Sequence, residues 1–259
     1  MPNLKMPVLF IGHGSPMNIV NKNAYTQSLQ SIRASLPPPK VILVVSAHWL
    51  TKGTFVCCTD TPKQIYDFYG FPDALYRVHY RPPGARKIGE ALAAELKTDN
   101  IQIDTERGID HAAWSVLVHL YPKADIPVFE MSLDVTKSEE DHYALGKKLS
   151  FLRQRNILII GSGNIVHNLV RMQYEENAQQ YPWALEFDQY IREALLQKDT
   201  GRLFRYKDSS TVGKIAAPTN DHYLPMLYSA ALQEDNEQID FFHESMQNAS
   251  VSMRCFIIR

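Results

Sequence analysis

The sequence predicts a single α/β domain, residues 1–259, with a central, largely parallel (mixed) sheet flanked by helices on both faces. Strand-length apolar runs alternate with helical patterns along the chain. Several of these runs are apolar throughout, which is typical of strands covered on both faces. The 259 residues contain no internal repeat, low-complexity tract or linker, so one domain accounts for the whole length.

The first half of the chain contains the clearest strand, the almost wholly β-branched run at residues 41–45. An earlier apolar run, residues 7–11, stops at Gly12, and a helix at residues 24–36 is closed by three prolines. Residues 62–83 are rich in Pro, Tyr and Phe without periodicity, and such long irregular segments are often functional. Further strands are expected at residues 54–59, 101–104 and 127–133, and further helices at residues 85–97 and 114–120.

The second half continues the alternation of helices and strands. A helix at residues 138–155 begins with a capping pattern, Ser138 followed by Asp141. A buried strand at residues 157–160 follows, and residues 208–220 are polar enough to predict a loop. Helices are also expected at residues 183–197 and 222–233, and strands at residues 239–243 and 250–258, for which a closing hairpin is one arrangement.

Composition excludes several classes of protein. The formal net charge of -1 provides no field for nucleic acid or anionic lipid, so neither partner is expected. No apolar run approaches the roughly 20 residues that cross a bilayer. Three cysteines without a Cys-x-x-Cys spacing predict buried thiols in a cytoplasmic protein rather than a disulfide framework. The expected assembly is a monomer or a small homo-oligomer.

Five of the nine histidines stand in short motifs with small or aromatic neighbours. Some of these motifs follow predicted strands, and an α/β protein keeps its ligand site where parallel strands end. Imidazoles gathered there favour a metal site. The motifs are Gly12-His13-Gly14-Ser15-Pro16, Ser46-Ala47-His48-Trp49, Asp110-His111-Ala112-Ala113-Trp114, Gly163-Asn164-Ile165-Val166-His167-Asn168 and Asp221-His222-Tyr223.

His13 and His48 follow predicted strands at similar depth, and adjacent strands lie about 4.8 Å apart. If the two strands are neighbours, both imidazoles can reach one ion, with the glycines beside His13 leaving room for a ligand. His222 opens a predicted helix, whose positive end favours the neutral imidazole that binds metal. His167 fits a fourth ligand or a proton-transfer group. His111 is expected to be a pocket acid or hydrogen-bond donor, with the neighbouring Asp110 orienting its ring.

Each of these histidines also has a simpler interpretation, as a turn, packing or capping residue. Trp49 makes a packing corner an alternative at His48, and aromatic segments such as that around Asp67 more often pack than bind. No Gly-x-Ser-x-Gly elbow, Walker phosphate loop or His-Glu-x-x-His helix is present. A serine hydrolase, a nucleotide-binding loop and a zincin-type protease are therefore disfavoured.

Taken together and in order, the five motifs resemble the class III extradiol ring-cleavage dioxygenases, most closely the DOPA 4,5-dioxygenase (DODA-type) branch. The resemblance covers nearly the whole chain and implies one catalytic domain. It implies that His13 and His48 bind the metal and that His222 stands where ring-cleavage members with a two-His-one-carboxylate site have a glutamate. His167 is implied in acid–base catalysis and, in zinc-containing members, in metal binding. The remaining site residues expected are His111 in catalysis, and Ser15, Asp67 and Asn164 at the substrate.

The resemblance implies an enzyme that opens the ring of a DOPA-like catechol with O2 to a semialdehyde acid. One divalent metal is expected, Fe(II) for this activity, with Zn(II) also suited to a histidine-only site. Two alternatives stay open on the same scaffold: a zinc hydrolase in which a metal-bound hydroxide attacks, and a zinc-binding protein without turnover, closed by the fourth histidine.

Overall fold

The computed structural model describes residues 5–259 and confirms the α/β class. Its main sheet has eight strands in the order β4-β3-β5-β2-β6-β1-β10-β7, and a two-stranded ribbon pairs β8 with β9. The strands are β1 Val8–Gly12, β2 Val41–Thr51, β3 Phe55–Cys57, β4 Gln102–Asp104, β5 Val128–Asp134, β6 Ile157–Gly163, β7 Ile239–His243, β8 Met246–Gln247, β9 Val251–Ser252 and β10 Cys255–Ile258.

The helices are α1 Ala24–Arg33, α2 Asp73–Tyr76, α3 Arg86–Glu95, α4 His111–Leu120, α5 Glu139–Lys148, α6 Ser150–Gln154, α7 Pro182–Leu196, α8 Thr200–Phe204, α9 Tyr206–Ser209, α10 Gly213–Ala216 and α11 Leu224–Ala231. Short 3-10 helices cover Pro16–Ile19 and Lys97–Asp99. No helix within residues 5–259 is long and apolar enough to cross a membrane.

The centre of the sheet is parallel, because β5, β2, β6 and β1 pair in that sense, while β10 and β7 add an antiparallel edge. Every residue of β1 and β6 is buried, as expected for strands covered on both faces. Along β1, Val8 and Phe10 face one hydrophobic cluster with α7 and α11, whereas Leu9 and Ile11 face the other, with α1 and α4. The sheet therefore lies between two helical layers.

The prediction that the strands before His13 and His48 are neighbours is wrong, since β6 lies between β1 and β2. The second strand is also longer than its apolar run, so that His48 stands within β2 and not after it. The polar side chain of Ser46 fits inside the strand because it donates to both carboxylate oxygens of Asp110, each at 2.8 Å. A polar residue with a buried partner does not end a strand, although it hides the strand from a hydrophobicity pattern.

Three other segments differ from expectation. The helix expected at residues 138–155 is divided at Leu149 into α5 and α6, and α6 buries Arg153. The loop expected at residues 208–220 contains α10, because Gly213 allows close packing on the carbonyl of Tyr206. The segment 250–258 is split into β9 and β10. β10 does pair with β7, but inside the main sheet and against β1.

Candidate metal centre

Three imidazoles from remote parts of the chain converge at the carboxyl end of the parallel strands. His13 directly follows β1, His48 lies on β2, and His222 precedes α11. The Nε2 atom of His48 is 3.2 Å from that of His13 and 3.2 Å from that of His222. Their donor atoms all lie within 4.8 Å of one another, which makes them a potential set of ligands for one ion.

The opposite nitrogen of His13 has a partner that determines its tautomer. Ser162 donates its only hydroxyl hydrogen to the carbonyl of Ala112 at 2.6 Å. Its oxygen, 3.1 Å from Nδ1 of His13, must therefore accept a hydrogen bond from that nitrogen. With Nδ1 carrying the hydrogen, the lone pair of neutral His13 is on Nε2, where it faces the other two histidines.

The same arrangement recurs at His48 and His222, with carboxylates in place of the serine. Nδ1 of His48 lies 3.1 Å from Asp67, and Nδ1 of His222 lies 2.8 Å from Asp221. A carboxylate accepts, so each Nδ1 carries a hydrogen and each neutral ring directs its Nε2 lone pair inward. Carboxylate partners also make the imidazoles more basic and hence better metal ligands.

Three inward lone pairs at these separations repel one another unless a proton or a cation lies between them. Two ligand atoms that each lie about 2.1 Å from one ion are roughly 3.0 Å apart when their bonds to the ion form a right angle. They are roughly 3.4 Å apart when the bonds form the tetrahedral angle. The separations of 3.2 Å from His48 to His13 and to His222 fall within that range. Two of the three separations therefore suit ligands of one small divalent metal ion.

The pKa values of His13, His48 and His222 are not all shifted in the same direction. Burial, followed by the charge of His48, holds the pKa of His13 well below its ordinary value. Burial also lowers the pKa of His222 to about 4, against the hydrogen bond to Asp221. Burial acts in the same direction on His48, but its hydrogen bond to Asp67 and nearby carboxylate charges outweigh it, so its pKa is raised. Without metal, His48 is therefore the ligand that most readily holds a proton.

His111, the first residue of α4, lies beside the ligands, with its ring centroid 4.1 Å from that of His48. Asp67 holds it twice, accepting from its backbone N–H at 2.9 Å and from its Nδ1 at 2.9 Å. Asp110, expected to orient this ring, instead caps α4 and accepts from Ser46 and Arg107. Asp67 is thus shared between His111 and His48, and these contacts hold its pKa well below the usual range despite burial.

His167 lies beside His222. The two rings are stacked, with centroids 3.5 Å apart and planes inclined by 10°. Among residues 5–259, the group of ligand atoms around His13, His48 and His222 does not include His167. Burial and the charge of His222 hold the pKa of His167 well below its usual value, so its ring is neutral near pH 7. A neutral ring beside the ligands can accept a proton.

Ser15 and Asn164 occupy different places. Ser15 lines the cavity above the histidines, and its Oγ accepts from the backbone of Met17 at 3.2 Å. Asn164 is fully buried and ties segments together: it donates from its side chain to Ser252 at 2.7 Å and from its backbone to His222 at 2.8 Å. It is not among the described residues that line the cavity.

Glycines let the segments that hold the ligands approach one another. A Cβ at Gly163 would lie 2.1 Å from the carbonyl oxygen of His222, and one at Gly12 would lie 2.7 Å from that of Ser252. Gly14 has a φ of +61°, and a Cβ there would lie 2.4 Å from Sδ of Met253. The glycines beside His13 therefore make room for the chain itself, and Gly14 also lines the cavity above the histidines.

A cavity of about 380 Å³ opens above the histidines. The aromatic segment expected to be functional supplies Phe68 and Phe71 to its wall. Leu169, Met172 and Val251 also line the cavity. Leu169 directly follows the motif that ends at Asn168, but none of the three was an expected site residue, because no pattern in the sequence marks an apolar side chain as part of a cavity.

The chain matches known proteins over nearly its whole length. Residues 7–254 match the family described as catalytic LigB subunit of aromatic ring-opening dioxygenase. A protein of Escherichia coli (strain K12) named 4,5-DOPA dioxygenase extradiol is 40% identical over 257 residues, 98% of this chain and 94% of the relative. A protein of the same name from Mirabilis jalapa is 35% identical over 241 residues, 91% of this chain and 90% of the relative.

A solved structure agrees with these relationships. The crystal structure of an uncharacterized protein from Escherichia coli K12 superimposes with a TM-score of 0.86 at 37% identity, covering 98% of this chain and all of the other. Family match, relatives and fold therefore coincide over the segments that carry the converging histidines. The chain belongs to the LigB family of aromatic ring-opening dioxygenases and is an enzyme of the extradiol dioxygenase class.

Proposed function

We propose that this enzyme binds Fe(II) through His13, His48 and His222 and opens a catechol ring beside a hydroxyl group with O2, giving a semialdehyde acid. The observation that carries the proposal is the convergence of the three Nε2 atoms below an apolar cavity. The names of the relatives from Escherichia coli and Mirabilis jalapa support a catechol such as DOPA as the first compound to try. A cavity of about 380 Å³ falls in the range of small-molecule sites.

A bound Fe(II) would supply open positions for both catechol oxygens and would relay to O2 the electrons that the catechol ring gives up. The surrounding residues supply orientation and proton transfer. Phe68 and Phe71 confine the ring from one side of the cavity, and holding both reactants in one place makes their encounter effectively unimolecular. His167, neutral near pH 7, takes the proton that a catechol hydroxyl loses on binding.

His111 has the complementary role of protonating oxygen atoms of the reacting molecule. Its Nδ1 donates to Asp67, so its neutral ring accepts at Nε2 and becomes a donor there once protonated. Burial lowers the pKa of His111, while the hydrogen bond to Asp67 opposes that shift. A proton accepted by this ring is therefore held weakly and can be passed on, as acid catalysis requires.

Zinc is the second candidate metal, because a donor set of three neutral imidazoles suits Zn(II) as well as Fe(II). One experiment separates the functions that follow from each metal. The protein is reconstituted anaerobically with Fe(II) or Zn(II) and given 4-methylcatechol or L-DOPA with and without O2. We expect oxygen uptake and a coloured ring-opened product with iron alone. Hydrolysis of model esters or amides by the zinc form without O2 would favour a hydrolase instead, and inactivity of both forms would favour a zinc-binding protein.

The role of His167 is tested separately with His167→Gln. The stacked position outside the ligand group predicts that this variant still binds one Fe(II) per chain but loses turnover by about 100-fold or more. Iron content and oxygen uptake are measured on the same sample. Loss of iron together with activity would make His167 a ligand and remove it as the base.

A further inference from the structure

We propose that the ion pair of Arg107 and Asp110 positions two histidines of the site, the metal ligand His48 and the proton donor His111. Neither member of the pair is among the described residues that line the cavity. The inference rests on the proposed metal site, since it names what aims two of the side chains there. It follows from the way the chain is held on both sides of His48 and at the start of α4.

His48 lies where the sheet no longer fixes the backbone of β2. The pairing of β2 with β6 ends at Ser46, and its pairing with β5 is interrupted between Val45 and Leu50. An irregularity of this kind changes the direction in which side chains point, and it is common beside active sites. The direction of His48 therefore depends on contacts other than the ladder of backbone hydrogen bonds.

The Arg107–Asp110 pair supplies these contacts on both sides of His48. Ser46 donates to both carboxylate oxygens of Asp110 at 2.8 Å, and its Oγ accepts from the backbone N–H of His48 at 3.1 Å. On the other side, Trp49 packs under the guanidinium of Arg107, whose Cζ lies 4.8 Å from the ring centroid. Because Nη2 of Arg107 donates to Asp110 at 2.7 Å, one ion pair holds both flanks of His48.

The same carboxylate determines where α4 begins. Oδ1 of Asp110 accepts from the backbone N–H of Ala112 at 3.1 Å and so caps the helix whose first residue is His111. The backbone N–H of Asp110 donates in turn to Glu130 of β5 at 2.8 Å. Because Asp110 is fully buried, losing one of these partners leaves its charge without compensation from bulk water. The relative position of His48 and His111, whose ring centroids are 4.1 Å apart, thus depends on Asp110.

Arg107→Ala tests the inference at a side chain that is 22% exposed, so the variant is expected to fold. Cobalt(II) is the probe, because its visible absorption bands change with the geometry of its ligands. We expect Co(II) affinity to be about 10- to 100-fold weaker and the bands to change in position or intensity. Arg155→Ala is the matched control, since Arg155 also pairs with a carboxylate, that of Glu95, and lies over the ring of Phe151. Its Co(II) affinity and spectrum should be those of the wild type.

Two further variants separate the effects on the two histidines. Ser46→Ala frees the strand and leaves the cap of α4 in place, so it should weaken Co(II) binding while kcat of the Fe(II)-saturated enzyme stays within about threefold. Asp110→Asn disturbs both elements and should also lower that kcat, about tenfold or more. Glu237→Gln is its control, because Glu237 is a carboxylate 8% exposed that pairs with Arg153 away from the histidines. It should change neither kcat nor the Co(II) spectrum.

The outcomes distinguish this inference from the proposed function. Wild-type Co(II) affinity and spectrum in folded Arg107→Ala or Ser46→Ala would overturn the inference, even if the variant unfolds at a lower temperature. If Asp110→Asn does not fold, those two variants decide the matter by the same measurements. Failure of the wild type itself to bind Co(II), or to open a catechol with Fe(II), would count against the proposed function instead.

Discussion

At the scale of single residues, the site depends on the groups that accept a hydrogen bond from Nδ1 of His13, His48 and His222. Asp221, adjacent to His222 in sequence, can be anticipated from the sequence. Ser162 cannot, because it lies 149 residues from His13 and becomes its partner only when β1 and β6 pair. The five histidine motifs are thus readable from the sequence, whereas most of the hydrogen bonds that orient the rings are consequences of the fold.

Asp67→Asn should weaken metal binding about 10- to 100-fold with little change in folding. Oδ2 of Asp67 accepts from Nδ1 of both His48 and His111, and Oδ1 accepts from the backbone N–H of His111, so in either orientation the NH2 group of an amide would face a hydrogen-bond donor. Zinc affinity by competition with a chromogenic chelator gives the measurement. Asp73→Asn, on the same segment with its carboxylate 89% exposed, is the matched control. If Asp67→Asn binds zinc as tightly as Asp73→Asn, Asp67 does not orient a ligand.

Metal affinity should fall as the pH decreases. Only neutral imidazole binds metal, and because the pKa of His48 is raised, this ring takes up a proton at a higher pH than an ordinary histidine does. Below that pKa, affinity should decline about tenfold per pH unit, since one proton competes with one ion. His222 adds a second competing proton only near its pKa of about 4. Zinc titrations between about pH 8.5 and about pH 5 measure this slope, and a flat profile would contradict it.

At the scale of helices and strands, the apolar runs predicted the buried strands well, and hydrophobicity alone misplaced the end of β2. Ser46 and His48 are polar, yet they belong to the strand because Ser46 donates to Asp110 and His48 contacts Asp67 and His13. Strand order was not predictable in the same way. The pairing of β6 between β1 and β2 depends on contacts remote in sequence, which a periodicity pattern does not contain.

Gly163→Ala should displace His222 and therefore reduce metal affinity together with stability. A Cβ at this position meets the carbonyl oxygen of His222 at 2.1 Å, so the start of α11 must move away from β6. We expect a loss of about 2–3 kcal/mol in the free energy of unfolding, typical of overpacking a buried site. Gly201→Ala, whose nearest contact would be a side-chain oxygen at 3.3 Å, provides the comparison. Wild-type zinc affinity in Gly163→Ala would show that His222 does not need this close approach.

At the scale of the whole molecule, one sheet edge collects residues from the beginning, the first third and the last fifth of the chain. Arg153 in α6 helps to hold these parts together. It donates to the carbonyls of Met6 and Leu232, each at 2.7 Å, and pairs with Glu237. It thereby joins the segment before β1, the end of α11 and the segment before β7. The α/β class, the helical layers and the histidine motifs follow from sequence patterns, whereas the convergence of His13, His48 and His222 follows from topology.

We propose that His13, His48 and His222 together bind a single metal ion through their Nε2 atoms, which lie close to one another. The most direct measurement is the stoichiometry and affinity of zinc binding for the wild type and for each of the three histidines replaced singly by alanine. His243→Ala, whose ring bonds to Ser28 and Ser245 away from the cavity, is the control. We predict one zinc per chain in the wild type and the control, and affinity at least about 100-fold weaker in each of the three variants. Wild-type zinc affinity in any one of those three variants would show that the replaced histidine does not bind the ion.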